Sequence, residues 1–205
     1  AFNDSSPYGH EGNISGAFYT NDSISGNALS FDGTDDYVNV SGASLEPSQI
    51  TISSWIKTTQ ALQFAGWVDK RTGGTGGYQI DFPDTSGTIR FLLDYTASDT
   101  PSVISTTAVN DGTWHQVVAT FDQVNMKIYV DGVLENVKAE TRAITHDTSI
   151  DLVIGGDEST VFAFDGLLDE FKIVNRSLTA AEIAADYRKG AAGVFATSDG
   201  ELPTT

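Results

Sequence analysis

The chain contains no cysteine, a single methionine and five prolines among its 205 residues. Without thiols there is no disulfide to staple the fold and no thiolate for catalysis or soft-metal binding, so stability has to come from a buried core. Basic residues are also scarce. Eleven Lys and Arg stand against 28 Asp and Glu, a formal net charge of −17, which repels nucleic acid and anionic lipid and removes both as expected partners. Nowhere does an apolar run approach the roughly 18 residues that span a bilayer, so membrane insertion is not expected either. The N-terminal stretch is not basic and apolar and starts at Ala1 rather than Met, so the sequence reads as processed or excised.

What is abundant is aspartate, with 20 Asp against 8 Glu, alongside 20 glycines. Asp and Gly together are turn chemistry, and the apolar residues between them recur with the period of strands. Strands are predicted over Ala17–Tyr19, Ala28–Phe31, Tyr37–Val40, Ile50–Lys57, Tyr78–Phe82, Thr88–Tyr95, Val103–Thr107, Trp114–Phe121, Met126–Val130, Ile150–Ile154 and Leu167–Val174. In Thr88–Tyr95, the apolar Ile89, Phe91, Leu93 and Tyr95 alternate with Thr88, Arg90 and Asp94, the pattern of a half-buried strand. Asp131-Gly132 supplies a tight hairpin turn, and Asp32-Gly33 and Asp111-Gly112 mark two more turns. In the closing strand Leu167, Phe171 and Ile173 fall on one face with Asp169 among them, and Glu170 and Lys172 on the other. Thr179 and Glu182 then form a capping box that starts one short helix with Ile183 and Tyr187 on its apolar edge.

Three segments together resemble the laminin G-like, concanavalin A-like jelly rolls, a group that includes the pentraxins. They are SGNALSFDGTDDYVNV with ITISSWIK (25–40 and 50–57), DGTWHQVVATFD with KIYVDGVL (111–134), and IGG with GLLDEFKIVNRSLTAAEI (154–183). Their order and spacing match over residues 3–188. The resemblance implies an all-β fold, a two-sheet antiparallel jelly-roll sandwich with one sheet concave and one short C-terminal helix. It implies one domain over 1–190, with 191–205 as a tail that forms an extra strand or a linker. It further implies an extracellular or cell-surface module that binds carbohydrate or a neighbouring protein rather than an enzyme, and calcium as its cofactor.

Catalysis is not expected from the residues themselves. A retaining glycosidase needs two carboxyls about 5 Å apart, and the nearest run, Asp165, Asp169 and Glu170, does not supply an alternating pair. His10 and His146 fall in loops, and His115 beside Trp114 reads as a structural strand residue. No nucleophile elbow is present. The expected alternatives to a binding module are a structural domain of a surface assembly, such as an appendage or coat, and third a polysaccharide-degrading enzyme.

In the family that the chain resembles, an Asp at the place of Asp169 and a backbone carbonyl at the place of Gly26 hold calcium. A carboxylate set among apolar neighbours gives an independent reason for a cation there. IGGDEST resembles a pentraxin segment that supplies acidic calcium ligands, which would make Asp157 and Glu158 a second site. The matching Asp-Asn pair is missing, because KRTGGTGG (70–77) has glycines in that place and only Asp69 nearby. Asp32, Asp35 and Asp36 read first as turn residues. Trp67, beside the glycine-rich loop, forms with Tyr78 and Tyr95 the candidate sugar-stacking platform, while Trp55 and Trp114 are expected in the core. Five of nine Asn lie in N-x-S sequons, at Asn3, Asn13, Asn21, Asn39 and Asn175, which suggests a glycoprotein. Members of the resembled family open with an apolar strand paired to the closing one, and here the chain opens on the loop that follows it. The closing strand is therefore expected to show an open edge, covered by a tail strand through Val194-Phe195-Ala196, by residues ahead of Ala1, or by self-assembly through a neighbour's strand.

Overall fold

The computed structural model describes residues 4–6, 9–41, 45–60, 62–71, 73–156 and 162–198, with residues 193–198 described by backbone alone. Fourteen strands and one helix follow in chain order. The first seven are β1 (Asn13–Ser15), β2 (Phe18–Thr20), β3 (Ala28–Asp32), β4 (Tyr37–Val40), β5 (Ile50–Lys57), β6 (Gly66–Arg71) and β7 (Gly77–Asp81). Then come β8 (Arg90–Asp94), β9 (Ser102–Ile104), β10 (Trp114–Phe121), β11 (Asn125–Val130), β12 (Val133–Ala139), β13 (Leu152–Ile154), β14 (Asp165–Val174) and α1 (Ala180–Ser198). They form two antiparallel seven-stranded sheets. Sheet one is ordered β1-β4-β13-β6-β7-β8-β9, and sheet two β12-β11-β10-β5-β14-β3-β2. The jelly-roll sandwich expected from the sequence is thus present. Two strands were not anticipated, β1 and β6, whose polar ends hide the alternation; β12, mostly exposed, extends the hairpin arm expected at Val133-Leu134 to Ala139.

The apolar layer between the sheets explains the architecture. Ile50, Ile52 and Ile56 of β5 and Val117, Ala119 and Phe121 of β10 meet Tyr78, Ile80, Phe91 and Leu93 of sheet one, all fully buried. Each Ile, Val, Leu or Phe among them contributes about 1.5–3 kcal/mol relative to exposure. Trp67 crosses the layer. Its Nε1–H donates to Ser54 Oγ at 2.9 Å, and its ring packs on Phe82 and Phe164 at centroid distances of 5.8 and 5.6 Å.

The closing strand departs from its predicted pattern. The β14–β5 register shifts between Asp169 and Lys172, where Glu170 takes a φ of 49°. This bulge adds a residue and flips the alternation. Ahead of it Leu168, not Leu167, is in the core, while Asp169 lies beside Trp55 on the outer face; beyond it Phe171 and Ile173 turn inward. Nor is β14 a sheet edge, since it lies between β5 and β3.

The capping box forms as predicted, with Thr179 N–H donating to Glu182 Oε2 at 2.8 Å and Glu182 N–H to Thr179 Oγ1 at 3.3 Å. Helix α1 lies on the outer face of sheet two, where Ile183 packs on Val118 and Tyr129, and Tyr187 stacks on Trp55 at 5.5 Å. It runs on to Ser198, so the backbone through Val194–Ala196 is helical and the expected tail strand is not formed.

Asp131 and Gly132, with φ of 51° and 76°, make the expected hairpin turn. Asp131 also faces His115, whose Nδ1 lies 2.8 Å from Asp131 Oδ2 and whose Nε2 lies 3.2 Å from Asp111 Oδ1. The Asp131 carboxylate, more than the opposing desolvation, raises the pKa of His115 above its ordinary 6.5. A group whose folded pKa is raised stabilises the fold below its unfolded pKa and loses that contribution as pH rises through the folded value. His115→Gln should therefore cost more stability at pH 6 than at pH 9, measured by denaturant midpoint; equal costs at both would contradict this ion-pair role.

Candidate functional site

Helix α1 occupies the outer face of sheet two; among the described residues no helix lies on the outer face of sheet one, although Gln79, Asp81 and Asp94 on it are buried. The pleat of β6, β7 and β8 places Asp69, Arg71, Gln79, Asp81, Arg90 and Asp94 on it, opposite the inward Tyr78, Ile80, Phe91 and Leu93. Asp69 pairs across the strands with Gln79, Asp81 with Arg90, and Gly77 with both Arg71 and Asp94. Gln79 is the hub of one network. Its Oε1 accepts from Arg71 Nε at 2.7 Å, and its Nε2 donates to Asp69 Oδ2 at 3.2 Å. Asp69 Oδ1 accepts the Arg71 backbone N–H at 3.0 Å. Asp94 Oδ2 accepts Gly74 N–H at 2.8 Å and lies 3.9 Å from Arg71 Nη1, while its Oδ1 is buried with no partner among the described residues. Asp81 is held separately by the guanidinium fork of Arg90; burial raises its carboxyl and that fork opposes the rise.

The glycine-rich segment is the cover of this network. Gly77 adopts a φ of 118°, and a Cβ there would lie 1.7 Å from Lys70 O, so only glycine fits. Its N–H donates to Thr145 O at 2.7 Å, tying this segment to the 140–147 loop.

Residues 32–184 match the concanavalin A-like lectin/glucanases superfamily. The chain belongs to that superfamily. Solved structures agree on the fold. Domain 4 of AbnA, a GH43 extracellular arabinanase from Geobacillus stearothermophilus, in complex with arabinotriose, superposes with a TM-score of 0.72 at 17% identity, over 85% of this chain and 86% of that one. The binding domain of botulinum neurotoxin DC in complex with SialylT gives 0.73 at 17% identity, over 92% of this chain and 48% of that one. The binding domain of Paraclostridial Mosquitocidal Protein 1 gives 0.73 at 13% identity, over 90% and 48%. The chain spans about half the length of the toxin binding domains it matches. No curated protein sequence matches it.

In this lectin-like sandwich the expected stacking platform does not form. Trp67 and Tyr78 are both 0% exposed and belong to the core. The sequence placed Trp67 beside the glycine-rich loop as a stacking residue, whereas β6 carries it inward to Ser54. Tyr95 is half-buried, its hydroxyl donates to Arg142 O at 3.0 Å, and the Arg142 guanidinium covers one ring face at 4.1 Å. Burial pushes its phenol up to about 12. Trp55 is buried, but beneath α1 rather than between the sheets. Trp114, expected in the core, is half-buried and donates from Nε1 to Asp22 Oδ1 at 3.0 Å. Asp157 and Glu158 lie outside the described residues, as does Asn3. Of the remaining sequons, Asn13, Asn21 and Asn175 are exposed and Asn39 is half-buried on β4.

Asp169 is 7% exposed and well partnered: its carboxylate accepts Ile24 N–H at 2.7 Å, Ser25 N–H at 2.9 Å and Glu170 N–H at 2.8 Å. Burial raises its carboxyl, and these donors oppose the rise. The same loop turns two carbonyls onto Ser23 Oγ, those of Gly26 at 3.1 Å and Asn21 at 3.4 Å. These are hard oxygens of the kind calcium takes, so the corner fits that ion in donor type, although the N–H groups already satisfy much of the carboxylate. The Asp32, Asp35 and Asp36 oxygens lie within 4.8 Å of one another. Thr34 N–H donates to Asp32 and Asp32 N–H to Asp36, at 2.8 and 3.0 Å, which is the turn chemistry expected.

Arg71, Gln79 and Asp94 were missed as site residues. Alternation put Asp94 on the solvent side, but it could not show that loop 73–77 buries it. The core assignment of Trp67 predicts that Trp67→Ala costs about 3–5 kcal/mol of stability in chemical denaturation. A variant with wild-type stability would return Trp67 to the surface.

Proposed function

We propose that this domain is a non-catalytic glycan-binding module of an extracellular or cell-surface protein, binding on the outer face of sheet one. The observation that carries the reading is the Asp69–Gln79–Arg71–Asp94 network. It sets carboxylate, amide and guanidinium groups side by side on rigid strands, and these are the groups that hydrogen-bond sugar hydroxyls. The carboxylates there are engaged by N–H or guanidinium donors, not paired as an acid and a nucleophile. The names of similar structures, one in complex with arabinotriose and one with SialylT, favour the same class.

One observation favours a second reading, the domain as part of a surface assembly with a protein partner. The seven-residue edge strand β12 exposes Val133, Leu134 and Val137 at 63%, 44% and 45%, and an uncovered apolar edge invites strand pairing. A glycan array separates the two. Binding should appear on the array, and Arg71→Ala or Gln79→Ala should weaken it at least about ten-fold, roughly 1.4 kcal/mol, in protein shown to be folded at the assay temperature. No binding across a broad panel would favour the assembly.

Calcium is proposed at the Asp169 corner, held by Asp169 and the Gly26 and Asn21 carbonyls, where it would fix the loop of residues 21–26. At a hundred-fold excess over its dissociation constant such an ion adds about 2.7 kcal/mol. Calcium should raise the melting temperature relative to chelator, and Asp169→Ala should abolish that response while itself destabilising the fold. Superimposable melting curves in calcium and chelator would remove the ion.

A further inference from the structure

Among the described residues, the outer face of sheet one has one buried side-chain acceptor unmet. Both oxygens of Asp69 accept, from Arg71 N–H and Gln79 Nε2, and both oxygens of Asp81 accept from Arg90. Asp94 differs. The residue is 0% exposed, its Oδ2 takes Gly74 N–H, and its Oδ1 takes nothing among the described residues. A buried carboxylate oxygen without a donor is costlier than the neutral oxygens left unmet under α1, and it calls for an explanation such as a bound water, ion or ligand. Beside it, Arg71 spends Nε on Gln79, and its Nη1 stands 3.9 Å from Asp94 Oδ2, too far for a hydrogen bond.

Together the two side chains offer an ionised acceptor next to guanidinium donors, which matches two adjacent hydroxyl groups: one donates to Asp94 Oδ1 and its neighbour accepts from Arg71. The cover hangs from a few points. Gly74 N–H bonds Asp94, Thr75 bonds the Asp147 carboxylate, and Gly77 enters β7 with its N–H on Thr145 O, while Gly73, Gly74, Gly76 and Gly77 all have positive φ. Charge then selects the ligand. With Asp81 and Arg90 cancelling, Asp69 and Asp94 face one cation, Arg71, so the site keeps a surplus negative charge in a chain of net charge −17. An anionic sugar is opposed locally and by the field of the whole domain.

We propose that this site binds neutral sugars through a vicinal diol held between Asp94 and Arg71, the 73–76 segment giving way to admit it, and that it discriminates against uronic and sialic acids. The proposal rests on the glycan-binding reading above. The test is calorimetric titration of the full chain with neutral arabino-, galacto- and gluco-oligosaccharides, N-acetyllactosamine with and without sialic acid, and oligogalacturonate before and after methyl esterification. The last pair keeps the diols and removes the charge. Neutral ligands should bind at least ten-fold more tightly than their charged counterparts. Asp94→Asn and Arg71→Gln should each lose ten-fold or more, and hydrogen exchange at Gly74 should change on binding. If Asp94→Asn fails to fold, Arg71→Gln carries the test. Charged sugars bound as tightly as neutral ones would overturn the selectivity and leave glycan binding standing. Neutral binding untouched by Arg71→Gln and by every Asp94 variant that folds would overturn the location. Failure of every saccharide would overturn the glycan-binding reading itself, and this proposal with it.

Discussion

A sandwich can bury only one face of each sheet, and the two-residue period of a strand then fixes what the other face displays. In β5, turning Ile50, Ile52 and Ile56 inward commits Thr51, Ser53 and Trp55 to the outside. Helix α1 is the answer to that second face: Tyr187 covers Trp55, and Ile183 covers Val118 and Tyr129. The cover is imperfect. Ser53 Oγ, Gln116 Oε1 and Thr120 Oγ1 are buried without partners among the described residues, and Asp186 reaches back to Gln116 and Lys172. Among the described residues sheet one has no helix on its outer side, so its polar rows on β6, β7 and β8 are covered by loops and by one another.

Most of this sandwich could be read from alternation, because β4, β5 and β10 are bounded by turn residues and place apolar residues at alternate positions. Alternation fails where the backbone breaks its own period. In β14 the residue added at Glu170 exchanges the faces, so a strand that reads as Leu167, Phe171 and Ile173 on one side is built as Leu168, then Phe171 and Ile173. It fails again at β6, where Gly66 and the polar Asp69, Lys70 and Arg71 disguise a strand whose Trp67 enters the core. The site was harder to read than the fold for a related reason. Period tells which face a residue takes, but not what folds over that face, and the importance of Asp94 comes from the segment above it.

Two carboxylates on opposite outer faces show what that cover decides. Asp169 and Asp94 are both buried, and each is approached by the backbone of a loop. At Asp169 three N–H groups converge, so the loop and the carboxylate satisfy each other and the contact is structural with or without an ion. At Asp94 a single N–H arrives and the second oxygen is left unmet. The glycines above it, which read in sequence as the loss of an acidic site, have a steric cause: Gly77 lies where any side chain would strike Lys70 O, and Gly74 lies where a Cβ would press on Ala97 N at 3.0 Å. Their spacing follows from how closely the loop approaches the strands. That close approach brings an N–H to one oxygen of Asp94 and leaves the other, with Arg71 beside it, as the unmet polar group of the surface that α1 does not cover.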